Sequence, residues 1–325
     1  MFQLKKSPLP EGLPPEAICL KGPTASGKTA LSLKLFERLP VEIVSVDSAQ
    51  IYRGLDIGTA KPDTDILGQV PHHLIDIREV QETYSAANFF QDAAKVMSEI
   101  HQRGHIPLLV GGTFLYFRAI EQGLHQLPEA DPTVRARIDQ RAKKEGWSSL
   151  HRELSRVDPE TAKRIDENDA QRIQRALEVL YLTGKTLSSH FFKSPEGLKM
   201  HFLDLTLLPD SRDELYNRIN RRFDEMMTQG LLEETQRIFN TKELARNSPA
   251  AKIVGYRQLI RFLEGDYDLA TAIDRAKAAS RQYAKRQLTW LRHQSAGAQC
   301  FFDQDRLQPA KIVEWVKKNL RYNRV

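Results

Sequence analysis

Short apolar runs alternate with amphipathic stretches over the first 125 residues of the chain. Ile18-Cys19-Leu20 reads as a buried strand, and Ala30 to Phe36 (ALSLKLF) has the spacing of a helix that buries one face. Val41–Val46 reads as a second strand and Leu74–Ile77 as a shorter one. Ala86 to Arg103 has helical periodicity ended by Gly104, and Ile106–Val110 is a further apolar strand stopped by Gly111-Gly112. Strands alternating with helices predict an α/β core, a parallel sheet with helices on both faces. Ligands of such sheets lie outside the carboxyl ends of the strands.

The texture changes near Leu127. Asp131-Pro132 is a helix-start pair, and residues 133–182 are rich in Ala, Arg, Glu, Gln and Leu with no strand signal. The next strand pattern is His201–Leu207. Residues 127–200 are therefore expected to form an inserted all-helical domain within a core made of residues 1–126 and 201–325. After the returning strand, Asp210-Ser211 caps a helix through Arg222 and Met227 to about Gly230, and the C-terminal third reads as helical. There is no internal repeat or low-complexity tract.

Composition narrows the class. The 325 residues are 41% hydrophobic and 28% charged, which suits a globular chain with a sizeable core. No run of about 18 apolar residues suggests a membrane span. Lys5 and Lys6 are followed by Ser7-Pro8-Leu9-Pro10 rather than an apolar stretch, so no leader is expected and the cytoplasm fits. Cys19 and Cys300 have no CxxC neighbour, and His72-His73 has no metal-ligand spacing, so neither a zinc site nor a disulfide framework is expected. The net charge of +6 permits a polyanionic partner without requiring one. The charge is concentrated: residues 274–293 carry Arg275, Lys277, Arg281, Lys285, Arg286 and Arg292 against Asp274 alone. Arg281 and Lys285 share a helical face. That strip reads either as a solvated face or as a phosphate-tracking surface.

The sharpest chemical signal is Gly22-Pro23-Thr24-Ala25-Ser26-Gly27-Lys28-Thr29, a full match to G-x-x-x-x-G-K-[ST] between a predicted strand and a predicted helix. This is a P-loop, so the core is expected to be P-loop NTPase-like. The glycines allow close approach, the helix-start N–H groups face an anion, Lys28 adds a point charge, and the Thr29 hydroxyl is a candidate Mg²⁺ ligand. Asp47 ends the second strand, where a carboxylate points toward the phosphates. It is a metal-holding aspartate, a turn residue, or the acceptor for a proton from a nucleophilic OH or NH₂. Thr113 follows the 106–110 strand and is either a helix N-cap or a site hydroxyl. Arg218 and Arg222 share a helical face, either as a diphosphate clamp or as surface ion pairs.

Together these residues resemble a family. The P-loop, then Asp47-Ser48-Ala49-Gln50-Ile51-Tyr52, Gly54 to Pro62 (GLDIGTAKP), Pro71-His72-His73-Leu74, Tyr84-Ser85, Gly111 to Tyr116, Gln171 to Glu178 and Gly255-Tyr256-Arg257-Gln258 are similar to the bacterial type of tRNA dimethylallyltransferases (tRNA isopentenyltransferases). The likeness runs from about Ile18 to Arg292. The loop alone is shared by many NTPases, whereas the blocks at 47–52 and 54–62 are specific to this family.

The resemblance implies transfer of a dimethylallyl group from dimethylallyl diphosphate to N6 of the adenosine on the 3′ side of the anticodon, in tRNAs that read codons starting with U. It implies that residues 22–29 hold the diphosphate, that Thr29 helps hold Mg²⁺, and that Asp47 is the general base. It places Thr113 at the diphosphate end of the reacting centre. It makes Arg222 the diphosphate clamp, with Arg218 as the fallback. It assigns tRNA contacts to Asp47, Ser48, Ala49 and Gln50, to Arg135, and to Gln171, Arg172, Ile173, Gln174 and Arg175. Further contacts fall to Lys252, Ile253, Val254, Gly255, Tyr256 and Arg257, and to Ser280, Arg281, Gln282, Tyr283, Ala284, Lys285, Arg286 and Gln287. The target adenine leaves its stack to reach the site. No obligate protein partner is evident in the sequence, so a monomer with no membrane association is expected. Three other readings stand beside it: an adenylate isopentenyltransferase acting on AMP, ADP or ATP, a small-molecule P-loop kinase, and a non-catalytic RNA-binding NTPase.

Overall fold

The computed structural model describes residues 16–191, 195–240, 248–294, 297–306 and 308–320. The Lys5–Pro10 segment lies outside the described residues. The chain divides into two compact units, residues 1–121 with 198–325, and residues 122–197.

The first unit is built on six parallel strands: β1 (Glu16–Lys21), β2 (Val41–Val46), β3 (His72–His73), β4 (Ile106–Gly111), β5 (His201–Leu207) and β6 (Gln299–Phe301), in the order β3-β2-β4-β1-β5-β6. In chain order the helices are α1 (Lys28–Arg38), α2 (Thr64–Gln69), α3 (Ala86–Gln102) and α4 (Phe114–Gln122), then α5 (Pro132–Glu145), α6 (Trp147–Val157), α7 (Pro159–Ala162) and α8 (Ala170–Thr183). They continue with α9 (Arg212–Thr228), α10 (Leu231–Asn240), α11 (Tyr256–Leu263), α12 (Leu269–Gln294), α13 (Asp303–Arg306) and α14 (Pro309–Asn319).

Alternation along β1 explains the layering. Ile18 and Leu20 face one apolar layer with Leu31, Leu35 and Phe36 of α1 and Ile312, Val313 and Val316 of α14. Ala17 and Cys19 face the other, with Phe89, Ala93 and Met97 of α3 and Phe114 and Phe117 of α4. Successive side chains of a strand point to opposite faces, so an unbroken apolar run requires cover on both sides. A third cluster joins Ile51, Tyr52 and Leu55 to Phe223, Leu231, Tyr256 and Leu259, and it anchors the long segment between β2 and β3 to α9, α10 and α11.

The sequence pattern misplaced two elements. The segment after β2 pairs through His72–His73, not through Leu74–Ile77. Leu74 and Asp76 have φ of +63° and +55°, which no strand accommodates. The C-terminal third is not wholly helical, because Gln299–Phe301 joins β5 as an edge strand. His73 donates to the Glu42 carboxylate at 2.7 Å and His72 donates to the Val70 carbonyl at 2.9 Å, so both histidines are structural.

The second unit is helical. Asp131 caps α5 by accepting from the N–H groups of Thr133 and Val134, with Pro132 in the first turn. Its core is Ile138, Leu150, Leu154, Ile173, Ala176 and Leu177. Glu178 is fully buried there and accepts from Arg135 at 2.8 Å, Arg175 at 2.6 Å and the Asp131 N–H at 2.9 Å.

Candidate active site

The loops after β1, β2 and β4 meet at the carboxyl end of the sheet. The P-loop leaves β1 at Gly22, where a Cβ would stand 2.7 Å from the Ser26 hydroxyl and 2.9 Å from the Leu207 carbonyl. Gly27, with φ +87°, turns the chain into α1. The first N–H groups of α1 have no intrahelical acceptor and form an anion cradle. The Lys28 ammonium donates to the Gly22 and Pro23 carbonyls at 2.9 and 2.7 Å. Burial pulls its pKa down to about 7; Arg222 lowers it further, while Asp47 works against both. The Thr29 side chain is exposed, and the Ser26 Oγ is buried without a hydrogen-bond partner among the described residues.

Asp47 follows β2. Its Oδ1 accepts from the N–H groups of Ala49 (2.8 Å) and, more weakly, Gln50 (3.4 Å), while Oδ2 has no donor among the described residues. Gln50 in turn accepts from the Ser45 hydroxyl at 2.9 Å and donates to the carbonyls of Thr59 and Ala60, both at 3.3 Å.

The two arginines of α9 differ. Arg218 is tied down, donating to the Ala25 carbonyl at 3.2 Å and to Asp303 at 2.9 Å. Arg222 makes no hydrogen bond or ion pair among the described residues. Burial lowers its pKa, opposed by the nearby charges of Asp47 and Glu225.

Two adjoining cavities of about 600 and 680 Å³ meet here. The larger is lined by residues 24–30 with Arg218, Arg221 and Glu225, a lining suited to an anion, and is termed the anion compartment. The smaller has an apolar wall of Ile219, Phe223, Met226, Ile253 and Val254. Thr24, Asp47, Thr59, Arg222 and Tyr283 line both, so they form the junction. Burial, then the Asp47 charge, pushes the Tyr283 hydroxyl up to about 12, so it stays protonated there.

Several expected site residues do other work. The Thr113 hydroxyl accepts from the Ser48 N–H at 3.1 Å, which couples the ends of β4 and β2, and it hydrogen-bonds with Tyr283; it thus borders the junction without lining either cavity. Gln287 is buried. Its carbonyl accepts from the Thr24 N–H and its amide donates to the Gly112 carbonyl, both at 2.9 Å, so it braces the P-loop and presents nothing to RNA. The side chains of Ile173, Tyr256 and Ala284 are packed in apolar cores, and Gly255 is buried, so these four offer no RNA-facing group. Arg135 and Arg175 hold Glu178 and Gln174 holds Asp139 at 2.6 Å, whereas Gln171 is exposed, as is Arg172 although it pairs with Asp169 at 3.0 Å. Arg281 donates to Asn220 of α9 at 2.7 Å, so the outward basic face of α12 falls to Lys285 and Arg286 rather than to the expected Arg281–Lys285 pair. Ser48, Ala49, Lys252, Ile253, Val254, Arg257, Ser280 and Gln282 all line the smaller cavity.

Sequence reasoning missed the apolar wall from α9, because Ile219, Phe223 and Met226 look like ordinary core positions of an amphipathic helix. It also assigned no role to Thr59, although Thr59 lies within the distinctive GLDIGTAKP block.

Comparison with known proteins is decisive here. Residues 50–294 match the family model described as IPP transferase. The tRNA dimethylallyltransferase of Thiobacillus denitrificans is 53% identical over 281 residues, covering 86% of this chain and 90% of that one. That of Thioalkalivibrio sulfidiphilus is 50% identical over 313 residues, covering 96% and 97%. The chain belongs to the tRNA dimethylallyltransferase family. The crystal structure of the full-length tRNA isopentenylpyrophosphate transferase of Bacillus halodurans shares its fold, with a TM-score of 0.66 and 38% identity over 93% of this chain and 96% of that one. A eukaryotic dimethylallyltransferase acting on tRNA superposes with a TM-score of 0.71 at 26% identity, over 85% of this chain and 70% of that one. As a family member the chain is a prenyl-transferring enzyme.

Among the described residues, one group of three potential metal ligands lies close together, Cys19, Glu121 and Asp204. It encloses the buried Lys21 ammonium, 2.5 Å from Glu121 and 2.9 Å from Asp204, so a cation is already built into that cluster. The anion compartment has a different donor set, with Thr29, Asp47 and Glu225 offering hard oxygens beside the phosphate cradle. That set suits Mg²⁺, which binds through one or two protein oxygens together with substrate phosphates.

Proposed function

We propose that the site transfers the dimethylallyl group of dimethylallyl diphosphate to N6 of the adenosine 3′-adjacent to the anticodon, in tRNAs that read U-starting codons, releasing diphosphate. The observation that carries this reading is the position of Asp47, at the junction of an anion compartment and an apolar one. The diphosphate lies on the P-loop amides and Lys28, with Arg222 clamping from α9. The isoprenoid lies along Ile219, Phe223 and Met226. The allylic C1–O bond breaks, its electron pair leaves on the diphosphate, and C1 bonds to N6. The amine lone pair is delocalised into the purine, so catalysis rests on stabilising the leaving group and accepting the N6 proton. Asp47 accepts that proton. Thr29 is the residue that would hold Mg²⁺, which when bound supplies positive charge to the departing diphosphate.

The names of the relatives favour a tRNA acceptor over free AMP, ADP or ATP. A phosphoryl-transfer reading leaves the apolar compartment without a task. Its partner would be tRNA through the anticodon stem-loop, in the cytoplasm; no helix among the described residues is long and apolar enough to cross a membrane. The test is incubation with labelled dimethylallyl diphosphate and either unmodified anticodon stem-loop or AMP, followed by nucleoside analysis. N6-dimethylallyladenosine from the stem-loop alone supports the proposal. Product from AMP alone, or ATP-dependent phosphoryl transfer, overturns it.

A further inference from the structure

Glu234 of α10 is buried, yet among the described residues it meets no cation. Its Oε2 accepts from the N–H groups of Asp56 (3.0 Å) and Ile57 (2.9 Å), and its Oε1 from the N–H of Gly58 (3.3 Å) and the Tyr256 hydroxyl (2.6 Å). The same hydroxyl accepts from the Gly58 N–H at 3.1 Å. One carboxylate thus gathers three consecutive amides of the 54–62 block. Charge-assisted bonds of this kind are about twice as strong as neutral ones. Gly58 is a required approach: a Cβ there would stand 2.5 Å from the Tyr256 ring.

The block held in this way leads directly to the reacting centre. Gly58 and Thr59 line the apolar compartment, and Thr59 and Ala60 line the anion compartment. The carbonyls of Thr59 and Ala60 accept from the Gln50 amide, and the Gln50 N–H reaches Asp47 Oδ1. Nothing in this series of bonds touches the P-loop cradle, which is braced separately by Gln287.

We propose that Glu234 is a positioning residue for the transfer. By fixing the amides of residues 56–58 it sets Thr59 and Gln50, and through them the Asp47 carboxylate at the junction. The inference rests on the prenyl-transfer reading above. It divides the site into two independently braced halves, one for the diphosphate and one for the acceptor base.

Misplacing a reacting group by about 1 Å can cost about 100-fold in rate. Glu234→Gln replaces one acceptor oxygen with an NH₂ that opposes a backbone N–H. It is expected to lower kcat about 10- to 100-fold while the KM for dimethylallyl diphosphate stays within about twofold. Tyr256→Phe should lower kcat less. Gly58→Ala moves the block without altering the carboxylate and should reproduce the Glu234→Gln pattern. The deciding measurement is the double variant. In an Asp47→Ala background Glu234→Gln should add almost no further loss, because its effect passes through Asp47. Thermal melts and diphosphate binding confirm that each variant folds, and should Glu234→Gln not fold, Gly58→Ala in the same background is read in its place. Unchanged kcat, or an equal fold-loss with and without Asp47, overturns the inference. Absence of prenyl transfer by the unsubstituted protein overturns the reading beneath it instead.

Discussion

Asp47 accepts two backbone hydrogen bonds through a single oxygen and keeps the other without a donor among the described residues. A carboxylate arranged in this way is oriented and still able to accept from an amine. Asp47→Ala is expected to lower turnover about 100- to 10,000-fold, the range for loss of a general base, with little change in tRNA affinity; equal losses in rate and in equilibrium binding would remove the assignment. Arg222 and Arg218 separate on the same logic. Arg222→Ala should raise the KM for dimethylallyl diphosphate and slow the reaction, whereas Arg218→Ala should act mainly through stability, because Arg218 already bonds Ala25 and Asp303. Lys28 is expected to make diphosphate binding proton-linked. With its pKa near 7 it is largely neutral at pH 8, and a bound diphosphate favours its charged form. Binding at pH 8 should therefore take up a proton, and affinity should fall as pH rises above about 7. Calorimetry in buffers of different ionisation enthalpy measures that uptake, which Lys28→Met should abolish.

At the scale of elements, Glu178 joins α8 to α5 through Arg135, Arg175 and the Asp131 amide. Burial works to raise its pKa, and the two arginines outweigh it, so its pKa is lowered and it stays ionised. Removing one partner of a buried pair costs about 3 kcal/mol or more. Glu178→Ala should destabilise residues 122–197 by less than that, because the Arg135 and Arg175 side chains it leaves behind are 40% and 28% exposed and water can take its place; the effect is read as early exchange of α5 and α8 amides. A tRNA defect in an Arg135 or Arg175 variant needs this control first. On α12 the adjacent cations Lys285 and Arg286 are exposed and available to follow RNA. Reversing both should weaken tRNA binding and make its salt slope shallower by about 0.7 to 0.9 for each phosphate that is no longer neutralised. Filter binding from low to moderate salt measures it, and an unchanged slope would make the strip a solvated face.

The whole molecule carries a pH limit in Glu42 of β2. Burial works to raise its pKa, but bonds from Arg103, His105 and His73 bring it down to about 2. A carboxylate depressed by folding contributes stability that is present above its unfolded pKa and lost as pH falls through the folded value. Denaturant midpoints should therefore fall between about pH 4.5 and pH 2, and that slope should be smaller in Glu42→Gln. Much of this architecture was legible in the sequence. Glycine spacing, the strand before it and the helix after it are local signals, and the runs at 41–46, 106–110 and 201–207 each had to be buried on both sides. Asp47 was legible because a residue that ends a strand of a parallel sheet has only one place to go. The brief pairing at His72–His73 and the edge strand at Gln299–Phe301 were not, because two or three residues carry no period.

The chain by itself determined the longer strands and helices, the glycine-rich loop that opens α1 and the carboxylate that ends β2, because those follow from short-range pattern and backbone geometry. Only the tertiary structure decided that Arg218 is tied down while Arg222 stays available, that Thr113 and Gln287 brace backbone, and that Glu234 reaches across 176 to 178 positions to hold the 54–62 block. These outcomes depend on which groups become neighbours once the helices pack, and a buried donor or acceptor takes whatever partner that packing brings within about 3 Å.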